Sequence, residues 1–214
     1  RHLPTGKQIA SWYTFTSGIW QTVCLEARPA AYLDDLRLVP RNEGEGWSLV
    51  VTAAVRGPDG RAKIRLSSPD PAVKAAEGEV DIRDGKGEYT ATLEVDSPKL
   101  WSSESPHLYD LNVEVEGAGG PADVVRTYFG LRTVGRGRHG DLKHESILLN
   151  GKPVFLRGAL DQSFNPDGIH TAPSDEFLRR DIELAKNLGL NCLRIHIKAD
   201  EPRRLYWADK LGIL

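Results

Sequence analysis

The most constraining feature of this chain is a series of short apolar segments, separated by turn residues, that extends from Leu33 to Val134. Segments such as "WSLVVTAAV" and "EYTATLEV" are rich in β-branched and aromatic residues, and clusters such as Gly57-Pro58-Asp59-Gly60 separate them. About seven strands in roughly a hundred residues is the size of an immunoglobulin-like sandwich. The sequence therefore predicts a β-sandwich at the centre of the chain, with one further lone strand before it at residues 18–26.

The pattern changes after Gly140. The stretch "SILLNGKPVFLRGAL" predicts a hairpin across Asn150-Gly151, followed by an apolar strand over residues 154–160 that is buried on both faces. A second strand of this kind is expected over residues 190–197. We expect the first residues of a third strand at the end of the chain.

Two helices are expected between and after these strands. The first begins at Pro173-Ser174, ends at Gly189 and buries a stripe of Leu178, Ile182 and Ala185. The second has Pro202 in its first turn and is followed by Gly212. The order strand, helix, strand, helix is typical of the start of a parallel α/β layer.

The bulk composition excludes several classes of function. Of the 214 residues 40% are hydrophobic, which supports a packed core, and the formal net charge is −2 with scattered Lys and Arg, which indicates no nucleic-acid partner. No apolar run approaches the eighteen or so residues that span a bilayer, so no membrane partner is expected. Cys24 and Cys192 have no second Cys or His at ligand spacing, so we expect both to be small buried hydrophobic residues. No metal and no cofactor is expected. The cellular compartment stays open.

Four stretches, in this order, resemble glycoside hydrolase family 2, the family of β-galactosidases, β-glucuronidases and β-mannosidases. "TSGIWQTVCLE" is similar to the end of the family's N-terminal jelly-roll sugar-binding domain, and "LWSSESPHLYDLNVEV" to the signature of its immunoglobulin-like domain. "TYFGLRTV" resembles the last strand of that domain, and "LLNGKPVFLRGALDQ" the entry into the catalytic (β/α)₈ barrel.

The resemblance implies three parts and a mainly β fold class. Residues 1–30 would hold the last strand of the jelly roll, residues 31–138 the sandwich, and residues 139–214 the first two βα units of a truncated barrel. The chain opens on Arg1 and has no Met, so we expect an internal piece of a longer enzyme.

The resemblance also implies a mechanism. Family members are retaining glycosidases that hydrolyse O-glycosyl bonds with two carboxyl groups about 5–5.5 Å apart. In the family these glutamates follow the fourth and seventh barrel strands, which would place them beyond Leu214. Asn42-Glu43 lies in a Gly-rich stretch of the sandwich, where a solvated turn is expected. The intact enzyme would take a carbohydrate substrate, whereas this chain would carry no catalytic residue and no activity.

The candidate substrate-binding or supporting residues are Asp161, Gln162, Asn165, Arg194 and His196. Strand alternation puts Arg194 and His196 on one face, pointing into the barrel near its mouth. A buried Arg requires a carboxylate, and its partner is either the nucleophilic glutamate of the intact enzyme, as the family implies, or Asp161. For His196 a sugar hydroxyl competes with a core carbonyl. For the other three residues sugar contacts compete with shaping of the loop after the first strand.

Two expectations concern the chain as a whole. A stand-alone carbohydrate-binding or adhesion module is the alternative to a glycosidase. The apolar strands over residues 154–160 and 190–197 would lack most of their barrel neighbours, so we expect the chain to self-associate through them.

Overall fold

The computed structural model describes residues 18, 19, 21–44, 46–140, 143–162, 165, 167–169, 171–196 and 199–214. The chain divides into two compact units. The sandwich unit comprises Glu26–Ser102 and His107–Pro153. The α/β unit comprises the described residues of Arg1–Leu25, Ser103–Pro106 and Val154–Leu214.

The sandwich unit contains two antiparallel sheets built from the first seven strands. A three-stranded sheet has the order β1-β2-β5 and a four-stranded sheet the order β4-β3-β6-β7. Three plus four strands is the division of an immunoglobulin-like domain, so the predicted sandwich is confirmed. The strands are β1 (Tyr32–Glu43), β2 (Gly46–Arg56), β3 (Gly60–Ser67), β4 (Ala76–Ile82), β5 (Lys86–Val95), β6 (Tyr109–Gly117) and β7 (Asp123–Phe129).

Alternation along these strands builds the core. In β2 every second residue from Trp47 to Val55 is buried, as expected of a strand with one face in the core. Trp101 and Tyr109 are each 1% exposed, and the Tyr109 ring stacks on Phe129 with centroids 5.2 Å apart. Asn42 is exposed, as expected, but the turn expected at Asn42-Glu43 was wrong, because both residues pair with β2 and belong to β1.

A small sheet of order β10-β9-β8 completes the sandwich unit, with β8 (Val134–Gly137), β9 (Ser146–Leu149) and β10 (Lys152–Pro153). The predicted Asn150-Gly151 turn is present, with φ values of 51° and 74° that a type I′ turn requires. The Asn150 side chain donates to the Trp101 carbonyl (3.0 Å) and accepts from the Thr133 N–H (3.0 Å). The turn is thereby fixed to the buried loop before β6.

The α/β unit has two parallel strands and two helices. Strand β11 (Gly158–Asp161) pairs in parallel with β12 (Cys192–Ile195), and the helices are α1 (Asp175–Asn187) and α2 (Pro202–Leu211). The Ser174 hydroxyl caps α1 by accepting the Phe177 N–H (3.1 Å), and Gly212 ends α2 at φ 78°. Both predicted helices are confirmed. Their start and stop signals lie at the helix ends themselves, which is why the sequence could predict them.

The chain's last residue also pairs with β12. The Leu214 N–H donates to the Asn191 carbonyl (2.8 Å), and the Leu214 carbonyl accepts from the Leu193 N–H (2.9 Å). The His196 N–H instead donates to Asp161 of β11. Successive residues of a strand direct their N–H groups to opposite edges, so Leu214 lies along the edge of β12 away from β11.

Three expectations about strands were wrong. The described residues of 18–26 form no strand, and Cys24 is exposed because none of the described strands pairs with that segment. The strand expected over 154–160 is shorter and exposed, with Phe155 80% exposed, because β11 has a single neighbouring strand in the described part of the chain. The second strand covers only residues 192–195, and position 197 lies outside the described residues.

Candidate functional site

The carboxyl ends of β11 and β12 carry the residues expected to bind substrate. Asp161 is the last residue of β11, Gln162 follows it, and His196 follows β12. The His196 N–H donates to the Asp161 carbonyl (2.9 Å), which brings the two strand ends together. In parallel α/β folds ligands bind at the carboxyl ends of the strands, so this end of the pair is the candidate site.

A buried arginine organises this end of the unit. The Arg204 side chain, on α2, is 4% exposed and contacts three aspartates from three different segments. Its Nη2 donates to Asp161 at the end of β11 and to Asp181 on α1 (2.6 Å). Its Nε lies 3.2 Å from Asp200 Oδ2, at an angle outside hydrogen-bond geometry. We name these four residues the Arg204 cluster.

The charges of the Arg204 cluster are unequal, since three carboxylates face one guanidinium. Burial alone would lower the pKa of Arg204, but Asp161, Asp181 and Asp200 together raise it above its ordinary value. Arg204 therefore stays charged, and one cation ties the end of β11 to both helices. Removing that cation would leave the two most buried carboxylates, those of Asp161 and Asp200, without it.

The register of the strand pair separates Asp161 from Arg194. Asp161 lies opposite Ile195, and Leu160 lies opposite Arg194. Side chains that are opposite each other in a parallel pair share a face, so Asp161 lies on the face of Leu193, which packs on the helices. Arg194 lies on the other face, with Leu160, and is exposed. The structure thus brings Asp161 to Arg204, while Arg194 lies on the open face of the strand pair.

Asn165 and Gln162 lie in the loop after β11. Asn165 is 8% exposed and exchanges backbone hydrogen bonds with Ile169 (2.7 and 2.9 Å), and its Nδ2 also donates to the Ile169 carbonyl (3.3 Å). Ile169 adopts φ 56°, which is rare for a β-branched residue. Asn165 therefore closes a tight, strained turn. Gln162 is half-buried at the end of β11. Sugar contacts by either residue remain a prediction.

Sequence reasoning missed four polar residues of this unit, namely Arg204, Asp181, Asp200 and Asn191. Arg204 precedes Ala208 and Leu211 at the spacing of a buried helical stripe, and that position was the available signal for a buried cation. Asn191 is 4% exposed and lies at the other end of the strand pair. Its Oδ1 accepts from the Arg157 N–H (2.8 Å), and its Nδ2 donates to the Phe155 carbonyl (3.0 Å).

The described residues offer no candidate metal site and no membrane-spanning helix. No group of three or more His, Cys, Asp and Glu side chains there is arranged to hold a metal ion. None of the helices in that part of the chain is long and apolar enough to cross a membrane.

Comparison with known proteins decides the family. The model of the family "Glycosyl hydrolases family 2" matches residues 31–132, which is the sandwich, and that resemblance was expected from the sequence. A candidate β-glucuronidase of Formosa agariphila is 30% identical over 206 residues, which cover 92% of this chain. The chain belongs to glycosyl hydrolase family 2.

Two further proteins are similar to this chain. A β-galactosidase of Pectobacterium atrosepticum is 32% identical over 138 residues, which cover 62% of this chain and 13% of that protein. The crystal structure of a Bacteroides uniformis β-glucuronidase matches 97% of this chain with a TM-score of 0.82 and 25% identity. The matched region is 26% of that structure and 23% of the Formosa protein, so the chain spans about a quarter of the length of these two relatives.

Proposed function

We propose that this chain is part of a retaining glycoside hydrolase that cleaves O-glycosyl bonds, and that it has no hydrolytic activity by itself. The observation that carries the proposal is the parallel pair β11–β12, with one helix after each strand. In the sequence this pair follows directly after a family 2 sandwich. Leu214, paired along the far edge of β12, supports a third parallel strand. This order of elements is that of a (β/α)₈ barrel at its beginning.

Three parts follow from the proposal. Residues 1–30 contain the end of a sugar-binding domain, residues 31–138 form a sandwich without catalytic groups, and residues 139–214 begin the catalytic barrel. The last part includes both described strand ends that carry candidate site residues. In a barrel those ends converge on one face, where substrate binds.

Three of the five candidate residues have a proposed role in the intact enzyme. Arg194 is exposed on the open face of the strand pair, and a guanidinium there would pair with a carboxylate at the centre of the barrel. His196, at the same strand end, would contact a sugar hydroxyl. Asp161 accepts from Arg204, and carboxylate oxygens have further acceptor capacity for a sugar hydroxyl.

Retaining hydrolysis needs an acid and a nucleophilic carboxylate about 5–5.5 Å apart. Asn42, the first residue of the chain's Asn-Glu pair, lies in β1 of the sandwich unit, which supports our proposal that the catalytic glutamates lie outside this chain. Because relatives are named β-glucuronidase and β-galactosidase, aryl β-glucuronides and β-galactosides are the substrates to test.

The first experiment measures hydrolysis of both aryl glycosides by the purified chain, and no turnover above a heat-treated sample is expected. Measurable turnover would contradict the proposal that the catalytic carboxylates lie elsewhere. The second experiment sequences the coding DNA beyond the Leu214 codon and expresses the whole reading frame. We expect a βα-repeating continuation with an Asn-Glu pair and an active product. A stop codon soon after Leu214 would instead favour a carbohydrate-binding or adhesion module.

In the active whole protein Arg194→Ala tests the proposed contact. We expect a loss of turnover, and circular dichroism checks that the variant keeps the fold of the wild type. Arg180→Ala is the matched control, since Arg180 is also exposed but lies on α1. Equal activity of the two variants would contradict the role of Arg194.

A further inference from the structure

The turn between β9 and β10 contains the one Asn-Gly pair of the sequence, Asn150-Gly151. The backbone nitrogen of the residue that follows an asparagine can attack the amide carbon of the asparagine side chain. Glycine favours this attack, because it has no Cβ and leaves the backbone free to bring its nitrogen close. Gly151 is also exposed to water, which the reaction consumes. The pair therefore has all the groups that a covalent change of Asn150 requires.

The reaction forms a bond between the Gly151 nitrogen and the Asn150 Cγ, and it breaks the bond from that carbon to Nδ2. The Nδ2 group leaves as ammonia and takes up the proton of the Gly151 N–H. Water then opens the cyclic imide that remains. Opening at Cγ gives aspartate, whereas opening at the main-chain carbonyl carbon gives isoaspartate, in which the main chain runs through the side chain. Nothing is oxidised or reduced, so water is the only reagent that the site needs.

The native turn keeps the reacting groups apart. Asn150 has the left-handed conformation, with φ 51°, and there the next backbone nitrogen lies on the far side of the Cα–C bond from Cβ. The Asn150 side chain is also fixed, because its Nδ2 donates to the Trp101 carbonyl and its Oδ1 accepts from the Thr133 N–H (both 3.0 Å). Ring closure therefore requires the turn to open and both side-chain hydrogen bonds to break.

We propose that Asn150-Gly151 is a self-modification site that the folded sandwich unit protects and that unfolding of this unit exposes. The protecting groups lie 17 and 49 positions away in the sequence, so an unfolded chain does not hold them against Asn150. The rate in a folded sample is then the rate of the unfolded chain multiplied by the fraction of molecules in which the turn is open. This inference is independent of the proposed hydrolase function.

Neither product restores the native contacts of Asn150. Aspartate has no donor for the Trp101 carbonyl, and isoaspartate adds a main-chain carbon to a two-residue turn. Trp101 is 1% exposed, and its N–H donates to the Leu131 carbonyl (2.8 Å), so Asn150 binds a segment that is itself part of the buried structure. Modified chains should therefore form a less stable sandwich unit, and long unfolding should become partly irreversible.

Incubation of the wild-type chain at mildly alkaline pH, in a urea series that crosses the unfolding transition, tests the protection. Brief digestion with trypsin gives the peptide 144–157, in which Asn150 is the only side-chain amide, so the mass change from an amide to a carboxyl group reports on this residue alone. Circular dichroism of the same samples gives the unfolded fraction. The rate should follow that fraction and should be at least about tenfold lower without urea than in the unfolded chain. Equal rates in folded and unfolded chains would overturn the proposal.

Two controls assign the chemistry in the unfolded chain. The tryptic peptide 100–126 has Asn112 as its only side-chain amide, and Val113 follows it. Because a β-branched neighbour obstructs the attack, this peptide should stay unmodified while Asn150 reacts. Gly151→Ala should slow the reaction of Asn150 in urea by about tenfold or more, because the new Cβ restricts the backbone. A Gly151→Ala chain that reacts at the wild-type rate in urea would contradict the assigned attack by the Gly151 nitrogen.

The Asn150→Asp variant tests the consequence for stability, because it carries one of the two products from the start. Its sandwich unit should melt at a lower temperature than that of the wild type. Asn42→Asp is the matched control, since Asn42 is exposed on β1, and it should melt with the wild type. If Asn150→Asp melts with the wild type, modification leaves no mark on stability and that part of the proposal is wrong.

Discussion

Asn191→Asp is the substitution that examines the α/β unit most directly, because it changes one donor to an acceptor without changing shape. In the wild type the Asn191 side chain acts as an extra peptide group beside the start of β11. It accepts from the Arg157 N–H (2.8 Å) and donates to the Phe155 carbonyl (3.0 Å). An ionised aspartate keeps the first bond and faces the Phe155 carbonyl with a second oxygen.

The expected loss follows from three terms. A net hydrogen bond of about 1 kcal/mol disappears, and the Phe155 carbonyl loses this donor at a further cost of about 1 kcal/mol. The new carboxylate, at a position that is 4% exposed, adds about 1 kcal/mol or more for charge burial. We expect the free energy of unfolding of the α/β unit to fall by about 3 kcal/mol at neutral pH, which is roughly a hundredfold in its opening equilibrium.

The loss should depend on pH in a specific direction. Burial and the nearby carbonyl favour the neutral carboxyl, so the pKa of the new aspartate is raised in the folded state. The penalty is fully present above that raised pKa and is relieved as the pH falls through it, because a protonated carboxyl donates to Phe155 again. Asn191→Ala removes both bonds with no titrating group, so its loss relative to the wild type should not share this pH dependence.

Hydrogen exchange with mass spectrometry measures the effect in each unit separately. At neutral pH we expect faster exchange in peptides that contain β11 and β12 of Asn191→Asp, and unchanged exchange in β2 and β6 of the sandwich unit. On acidification the difference from the wild type should shrink for Asn191→Asp only. Equal protection of Asn191→Asp and wild type at neutral pH would refute the argument, and so would the same pH dependence in Asn191→Ala.

Three further predictions concern packing, titration and buried charge. A Cβ at Gly117 would lie 2.5 Å from the Ala31 Cβ, so Gly117→Ala should lower the stability of the sandwich unit by about 1–3 kcal/mol in thermal unfolding. Gly120→Ala, which meets nothing within 4 Å, should not, and equal melting temperatures would contradict this. Arg203 and Trp207 lower the pKa of Asp175 to about 2 by donating to its carboxylate. Asp175→Asn should therefore be less stable than the wild type above the ordinary carboxyl pKa, and this difference should vanish as the pH falls through about 2. A difference between their urea midpoints that persists below about pH 2 would contradict the prediction. Arg204→Gln leaves buried aspartates without their cation, so it should destabilise the α/β unit by about 3–5 kcal/mol. Denaturant unfolding followed by hydrogen exchange measures this loss. Unchanged exchange in α2 would show that the ion pairs contribute nothing.

Structural features that depend only on neighbouring residues were predictable from the sequence. Ser174 caps α1 three residues before the amide it accepts from, and Gly212 ends α2 where its φ of 78° requires a glycine. The sandwich strands follow the same rule, because alternation within one strand determines which of its faces is buried. Such signals need no knowledge of the partner element.

Features that depend on two distant segments were not predictable. Alternation within one strand could be predicted for β12, but which residue of β11 lies opposite which residue of β12 is set by packing. That register decides that Asp161 shares a face with Ile195. The Arg204 cluster joins segments up to 43 positions apart, and nothing local to Asp161 indicates its partner.

Asn191 and Arg204, two of the buried polar residues of the α/β unit, explain how so short a strand pair is held together. Four residues in each of β11 and β12 give few backbone hydrogen bonds, and side chains reinforce both ends. Asn191 binds the start of β11, and Arg204 binds its last residue. Asn191 and Arg204 contact only the ends of the strand pair, so one face of the pair stays open. That face carries Arg194 and Leu160. In the proposed enzyme the Arg204 cluster fixes the end of β11, and with it the Asp161 carboxylate, while the open face presents Arg194 to the centre of the barrel.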